Sequence, residues 1–189
     1  MNIAIAAIAN LIEEKPAAVI AIDGPCASGK TTLAKLIAEK TGAQVIHMDD
    51  FFLPAEMRTF ERLSQAGGNV HYERFNSQVT KGIASGKEFV YGVYSCIRGT
   101  TTPSSPVFPD KPIVIEGSYA LHPEITLPYN LKIFVEADYE TRLARILHRN
   151  SADALEIFKS KWIPLEDKYF QEFGIRQKCD IIVKTDRKA

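Results

Sequence analysis

Short apolar runs recur along the chain and predict the strands of a parallel sheet. They are rich in branched aliphatic residues and carry few charges, as strands covered on both faces do. Helical patterns separate most of them, and this alternation predicts a three-layer α/β/α fold. The runs occupy residues 19–22, 44–48, 113–116, 131–136 and 180–183.

Apolar residues at helical spacing predict helices beside these strands. One helix is expected at 2–14, one after the first strand, one at 138–149 and one at 151–173, where Pro164 marks a helix end or a kink. The residues expected on buried faces are Ile5, Ile8, Leu11 and Ile12 in the first helix, Leu33, Leu36 and Ile37 in the second, and Leu143, Ile146 and Leu147 in the third.

A long insert between the second and third apolar runs, residues 51–111, does not follow the alternation. It contains a polar, glycine-rich turn at 67–69, a helical segment around 75–85 and one or two strands at 89–94. The piece at 99–112 is predicted to be a loop because Pro, Ser and Thr are frequent in it. We expect substrate specificity to be decided in this insert.

Length and charge restrict the class of protein. The 189 residues fit a single domain, 1–189. Lys and Arg together number 23, as do Asp and Glu, so the formal net charge is zero. Because no global positive field attracts a polyanion, a nucleic-acid partner is not indicated.

The cysteines and the N-terminal segment indicate a cytoplasmic protein. Cys26, Cys96 and Cys179 are scattered and match no metal-binding spacing, which favours reduced thiols. The apolar start lacks a basic leader and is too short for a signal peptide or a membrane span. The sequence does not decide between a monomer and a homo-oligomer.

The most specific motif is the sequence Gly-Pro-Cys-Ala-Ser-Gly-Lys-Thr at 24–31. It lies between an apolar strand and a helix, where a phosphate-binding loop presents backbone N–H groups and the helix N-terminus to phosphates. Lys30 is expected to reach the β- and γ-phosphates of ATP, and the Thr31 hydroxyl to ligate Mg²⁺. The predicted nucleotide-binding residues are Gly24, Ala27, Ser28, Gly29, Lys30, Thr31 and Thr32.

Carboxylates follow two other strands at the edge that carries this loop. Asp49 or Asp50 could act as the base for an acceptor hydroxyl, although an aspartate there could equally cap a helix or turn. Glu116 is the candidate to support Mg²⁺. The alternative is that Glu116 is a surface residue beside Lys111. Phosphoryl transfer needs both kinds of carboxylate.

Three arginines in the segment 138–149 could form a phosphate clamp. Arg142, Arg145 and Arg149 recur at spacings that bring them close together on a helix. The alternative is a solvated surface with Glu140 as an ion-pair partner. Residues 142–165 are the predicted lid region.

Aromatic and polar residues of the insert suit a flat polar acceptor, which they could stack on and hydrogen-bond. They also suit an ordinary core, because aromatic residues pack more often than they bind ligands. The candidates are His71, Tyr72, Arg74, Phe75, Tyr91, Tyr94 and Arg98.

The order of these motifs resembles the uridine kinase group of P-loop kinases, whose relatives include phosphoribulokinase and bacterial pantothenate kinase. The resemblance covers about residues 19–183 and includes the Asp-Asp-Phe-Phe after the second strand, Glu116-Gly117, the arginine-rich helix and the final Asp-Ile-Ile strand. It implies a P-loop fold with five parallel strands in the order 2-3-1-4-5 and a short lid. It also implies that Asp49 is the base and that Arg145 and Arg149 contact the transferring phosphate.

The resemblance weakens where the acceptor would bind. The Asp-His-Pro segment of uridine kinases is replaced by Asn-Val-His-Tyr at 69–72, the Tyr-Asp of the substrate hairpin by Tyr94-Ser95, and no Arg-Gly-Arg follows Arg149. A nucleoside kinase using ATP and Mg²⁺ is the first expectation. A kinase for a pantothenate-like, sugar-acid or nucleotide acceptor, with Arg74 and Arg98 near an anion, is the second, and a nucleotide-binding protein without transfer activity is the third.

Overall fold

The five apolar runs form the parallel sheet that the sequence predicts. The computed structural model describes residues 2–186. Its strands run in the order β2-β5-β1-β6-β7, which is the expected order 2-3-1-4-5 once the hairpin strands β3 and β4 are set aside. The strands are β1 Val19–Asp23, β2 Gln44–His47, β3 Gly92–Ser95, β4 Thr100–Pro103, β5 Ile113–Glu116, β6 Leu131–Glu136 and β7 Ile181–Lys184.

Helices cover both faces of this sheet. Among residues 2–186, no helix has both the length and the apolar character that a membrane crossing requires. The α-helices are α1 Asn2–Glu14, α2 Lys30–Thr41, α3 Phe60–Ser64, α4 Tyr72–Phe75, α5 Lys81–Ala84, α6 Tyr139–Arg149, α7 Ala152–Ile157 and α8 Ile163–Phe173. Short 3₁₀ turns lie at Met48–Phe51, Ala55–Met57 and Arg176–Lys178.

Each face of the sheet has its own hydrophobic core. On one face, Ile8 of α1 and Leu33 and Ile37 of α2 are buried against β1 and β6. On the other, residues of the insert pack with Tyr169 of α8. The predicted α/β/α layers are therefore present, and the insert belongs to one layer.

Two π-helical turns join α-helices that the sequence presents as longer segments. Asn76–Thr80 links α4 to α5, and Phe158–Trp162 links α7 to α8. The second turn corrects the expectation of a helix end or kink at Pro164. Pro164 lies in the first turn of α8, where the missing N–H costs little, and the departure from α-helical geometry precedes it.

Three further predictions were wrong in detail. The segment expected as a loop at 99–112 contains β4, which pairs antiparallel with β3. Leu36 and Leu147, both expected on buried helix faces, are 38% and 49% exposed. Arg142 is buried instead, because its guanidinium binds the backbone of the phosphate loop.

Candidate active site

The phosphate loop has the backbone that its glycines allow. Gly24 has φ 142°, and a Cβ there would lie 2.1 Å from the Val135 carbonyl oxygen. Gly29 has φ 101° at the start of α2. Any larger residue at position 24 would push the loop away from β6, so this loop conformation depends on glycine.

Asp23, the last residue of β1, is hydrogen-bonded to the start of the phosphate loop and to the segment after β5. Its Oδ1 accepts hydrogen bonds from the N–H groups of Gly24 at 2.7 Å and Tyr119 at 3.2 Å. Its Oδ2 accepts from Leu121 N at 2.9 Å and Tyr169 Oη at 2.8 Å. Burial raises the pKa of Asp23 to about 6, although these hydrogen bonds oppose the rise. Asp23 is absent from the predicted site, although its place between an apolar strand and Gly24 is a usable sequence signal.

The two residues predicted to hold the metal, Thr31 and Glu116, lie next to each other in space. Thr31 Oγ1 donates to Glu116 Oε1 over 3.1 Å, and His47 Nδ1 lies 2.5 Å from the same oxygen. The hydrogen bond to Glu116 raises the pKa of His47, against burial, which lowers it. Hydroxyl and carboxylate oxygens side by side are a donor set that Mg²⁺ prefers, so these residues fit the metal.

Lys30 is folded over the phosphate loop. Its Nζ donates to the Pro25 carbonyl oxygen at 2.9 Å and to Ser118 Oγ at 3.4 Å, and the residue is only 8% exposed. The Ser28 hydroxyl is buried without a hydrogen-bond partner at the same loop. A buried cation and an unpaired hydroxyl suit a bound phosphate chain, so the loop fits a nucleotide.

The structure distinguishes the two aspartates after β2. Asp49 lines the cavity in front of the phosphate loop and is exposed there. Desolvation by the cavity walls raises its pKa, with Lys30 opposing the rise. Asp50 Oδ2 instead accepts a hydrogen bond from Tyr91 Oη at 3.0 Å. Asp49 is the aspartate available to a substrate in this cavity.

The three arginines of α6 do not act as one cluster. Arg142 Nε donates to the Cys26 carbonyl oxygen at 3.0 Å. Two predictions for Arg142 were therefore wrong: it does not belong to a phosphate clamp of three arginines, and it does not lie on a solvated surface. Arg145 binds Ala27 O at 3.1 Å and Thr185 Oγ1 at 3.0 Å, and it lines the cavity. Arg149 lines the cavity and is exposed. Two of the three guanidinium groups therefore face the site.

A carboxylate outside the predicted site lies against the phosphate loop. Glu166 of α8 accepts from Cys26 N at 2.8 Å and from Ser118 Oγ at 2.7 Å, and it pairs with Arg142 at 3.6 Å. Both charged side chains are less than 10% exposed. Nothing in the amphipathic pattern of this helix separates Glu166 from a surface residue. Its contacts connect α8, which begins where the predicted lid region 142–165 ends, to the loop.

The predicted acceptor residues of the insert do not line this cavity. His71 caps α4, and Tyr72 stacks on His122 with ring centroids 4.8 Å apart. Arg74 donates to the carbonyl oxygens of Gly92 and Asp50. Tyr94 lies in β3, and Arg98 is exposed in the turn after it. These contacts support the insert, so the predicted contact of these five residues with a substrate finds no support here.

Other insert residues do face the site. A cavity of about 1130 Å³ opens over the carboxyl ends of β1, β2 and β5. It runs from the phosphate loop and Thr32, past Asp49, to an aromatic pair, Phe52 and Trp162, whose centroids are 6.1 Å apart. Further lining residues from the insert and the α8 region are Arg58, Asn69, Cys96 and Lys168.

Comparison with known proteins yields one family. A sequence model described as "Phosphoribulokinase / Uridine kinase family" matches residues 19–154. A tRNA-specific adenosine deaminase subunit of Schizosaccharomyces pombe is 31% identical over 150 residues, which are 75% of this chain and 36% of that protein. A cytidylate kinase of Archaeoglobus fulgidus is 30% identical over 138 residues, 71% of this chain and 63% of that protein. The chain thus spans less than two thirds of either relative.

A solved structure has a similar fold. The chain superposes on a protein of Bacillus stearothermophilus described as a possible uridine kinase with a TM-score of 0.69 at 19% sequence identity. The superposition covers 97% of this chain and all of that one. At this identity the likeness concerns the fold.

Proposed function

The chain belongs to the phosphoribulokinase/uridine kinase family and has the fold of a P-loop kinase, and we propose that it transfers the γ-phosphoryl group of ATP to a hydroxyl group of a nucleoside. The observation that carries this proposal is the position of Asp49 in the cavity in front of the phosphate loop. A carboxylate there can meet an acceptor hydroxyl, as phosphoryl transfer requires.

The proposed step is a single displacement at phosphorus. The acceptor oxygen forms a bond to the γ-phosphorus, and the bond from that phosphorus to the β,γ-bridging oxygen breaks. The hydroxyl proton passes to the Asp49 carboxylate. The products are ADP and a phosphate monoester, so atoms and charges balance.

The remaining residues bind and orient the reactants. The phosphate loop and Lys30 would hold the triphosphate, and Arg145 and Arg149 would contact the transferring group, where negative charge is highest. Thr31 and Glu116 would hold Mg²⁺, which neutralises phosphate charge when bound.

A nucleotide acceptor is the second candidate. Arg58 and Lys168 line the cavity away from the phosphate loop and could bind the phosphate of a nucleoside monophosphate. The similarity to an A. fulgidus protein named cytidylate kinase supports this alternative.

The test is acceptor-dependent release of ADP. The purified protein is incubated with MgATP and, in separate reactions, uridine, cytidine, their monophosphates, pantothenate and a sugar acid. ADP release that needs a nucleoside supports the proposal, and release that needs a monophosphate supports the second candidate. Tight ATP binding without acceptor-dependent release from any compound would indicate a nucleotide-binding protein that does not transfer phosphate.

A further inference from the structure

Both backbone polar groups of one phosphate-loop residue, Cys26, are bound by side chains from outside the loop. The Cys26 N–H donates to Glu166 Oε2 of α8 at 2.8 Å, and the Cys26 carbonyl oxygen accepts from Arg142 Nε of α6 at 3.0 Å. Arg142 Nη2 also lies 3.3 Å from the Cys26 thiol sulfur. The course of the loop at this point therefore depends on α6 and α8.

The residue after Cys26 has a backbone conformation that needs such support. Ala27 has φ 57°, in the left-handed region, which costs free energy for residues other than glycine. The Ala27 carbonyl oxygen accepts from Arg145 Nη1 of α6 at 3.1 Å. Hydrogen bonds from the two helices to Cys26 and Ala27 offset this cost, so the loop conformation is maintained by residues outside the loop.

The two charged residues that bind Cys26 are buried and form an ion pair. Arg142 Nη2 lies 3.6 Å from Glu166 Oε2, and the two side chains are 8% and 7% exposed. Burying two charges costs free energy that an apolar pair of similar size would avoid. An apolar pair, however, could bind neither a backbone N–H nor a backbone carbonyl. The charges therefore indicate a role in holding the loop rather than in filling the core.

Ser118, which follows β5, extends the contacts of Glu166 to Lys30. The Ser118 hydroxyl lies 2.7 Å from Glu166 Oε1 and 3.0 Å from the Gly24 carbonyl oxygen. Because the carboxylate is the stronger acceptor, the hydroxyl proton points to Glu166, and the hydroxyl oxygen can accept from Lys30 Nζ at 3.4 Å. Glu166 thus orients a hydroxyl that contacts the ammonium group expected to bind phosphates.

These contacts join the phosphate loop to both ends of the predicted lid region, 142–165. Arg142 is the first residue of that region, and Glu166 directly follows its last. Between them, residues of the π-helical turn Phe158–Trp162 line the cavity. The two ends of the lid region therefore meet at one residue of the phosphate loop, Cys26.

We propose that Glu166 and Ser118 are positioning residues that hold the phosphate loop and the Lys30 ammonium in the arrangement that binds the phosphates of ATP. Glu166 acts through the Cys26 backbone, and Ser118 acts through Lys30. Arg142 holds the Glu166 carboxylate in place. This inference rests on the nucleotide-binding part of the proposed function and does not depend on which acceptor is used.

The first test measures nucleotide binding and needs no acceptor. A non-hydrolysable ATP analogue is titrated with Mg²⁺ into each protein in a calorimeter. Glu166→Gln keeps the size of the side chain but removes the charge that pairs with Arg142 and one of the two acceptor oxygens. The dissociation constant of the analogue is expected to rise about tenfold, as the loss of one hydrogen bond to a charged group would cause. Glu172→Gln, the same change at an exposed position of α8, is the control.

The second variant, Ser118→Ala, leaves the ion pair intact. It removes only a hydroxyl, so the variant is expected to fold and to bind the analogue at least about threefold more weakly. Ser105→Ala, at an exposed loop position, is the control. Ser118→Ala supplies the result if Glu166→Gln does not fold. Wild-type affinity for the analogue in Ser118→Ala, or in folded Glu166→Gln, would overturn the proposal.

Kinetic constants separate positioning from stability. With an acceptor that supports ADP release, Glu166→Gln is expected to raise the KM for ATP about tenfold and to leave the KM for the acceptor unchanged. A fall in kcat with both KM values unchanged would mean that Glu166 serves only the fold, and would overturn the proposal. If both variants bind the analogue more weakly but wild type releases no ADP with any acceptor, the inference stands and the proposed transfer fails.

Discussion

The Thr31 hydroxyl donates a hydrogen bond of 3.1 Å to Glu116 Oε1, and the two residues are 85 positions apart in the sequence. The parallel pairing of β1 with β5 brings them together, because it aligns Ile22 with Glu116 directly before the phosphate loop. His47 Nδ1 contacts the same oxygen from β2. Three neighbouring elements thus converge on one carboxylate, which supports the proposal that Mg²⁺ binds at this position.

Removing the charge of Glu116 should weaken the metal site. Glu116→Gln keeps the size of the side chain but presents an amide to the cation. We expect the Mg²⁺ concentration for half-maximal turnover to rise about 10–100-fold. Glu172→Gln, an exposed position of α8, is the matched control. An unchanged Mg²⁺ requirement in Glu116→Gln would remove this residue from the metal site.

Asp49 and Asp50 provide a paired test of the base. Asp49→Asn should lower the turnover number about 10²–10⁴-fold, because the amide cannot take the hydroxyl proton. Asp50→Asn should reduce turnover much less, since Asp50 contacts Tyr91 and does not line the cavity. Single-turnover kinetics with saturating MgATP measure both. Equal losses in the two variants would contradict the assignment.

The pH dependence of transfer should report the environment of Asp49. Desolvation by the cavity walls raises the pKa of this carboxyl above its ordinary value of 3.8, and a base must be deprotonated to act. Activity is therefore expected above that raised pKa and lost as the pH falls through it. The profile of kcat/KM for the acceptor measures this. An activity that persists down to pH 3.8 would show that the carboxyl is not perturbed as described.

Arg142 and Arg149 should have opposite phenotypes. Arg142→Met leaves the buried Glu166 without its cationic partner, and we expect unfolding to be easier by about 3–5 kcal/mol. Arg149→Met, at an exposed position, should change stability by less than about 0.5 kcal/mol and lower transfer on the order of 100-fold. Denaturant titration and ADP release distinguish them. A stable Arg142→Met or a fully active Arg149→Met would contradict these roles.

The buried Asp23 makes stability depend on pH in a stated direction. Its folded pKa of about 6 exceeds the ordinary value of 3.8, so between these values the unfolded chain releases a proton that the folded protein keeps. The free energy of unfolding should therefore fall as the pH rises through this window, by about 3 kcal/mol from this group, and change no further above it.

An NMR titration of the Asp23 carboxyl carbon measures this shift, with Asp23→Asn to assign the signal. The difference in unfolding free energy between wild type and Asp23→Asn should lose its pH dependence above about 6. A midpoint at or below the ordinary 3.8 would contradict the account.

The sheet and the donor side of the site could be predicted from the sequence because short-range patterns determine them. A buried strand, a glycine-rich loop and a helix follow each other directly, and Asp49 and Glu116 each follow an apolar run. In a parallel sheet, the carboxyl ends of neighbouring strands meet at one edge. The residue types and their positions at strand ends were therefore sufficient to predict that these residues lie close together.

The acceptor side could not be predicted in this way. His71 and Tyr72 are residue types typical of a ligand site, but His71 caps α4, and Tyr72 contacts Arg62 and stacks on His122, which is 50 positions away. Asn69 was read only as part of a turn, since the bonds that fix it are tertiary. Within the described residues, the orientation of side chains in this irregular insert depends on tertiary packing, which the local sequence pattern does not show.

The most direct measurement is the fate of the γ-phosphate. ATP radiolabelled at that position is incubated with Mg²⁺, an extract of small metabolites and either wild type or Asp49→Asn, and the products are separated. We predict that wild type moves the label onto a small-molecule alcohol as a phosphate monoester, and that Asp49→Asn does so at least about 100-fold more slowly. Label that stays in ATP, or that appears only as inorganic phosphate, would contradict phosphoryl transfer as the function of this site.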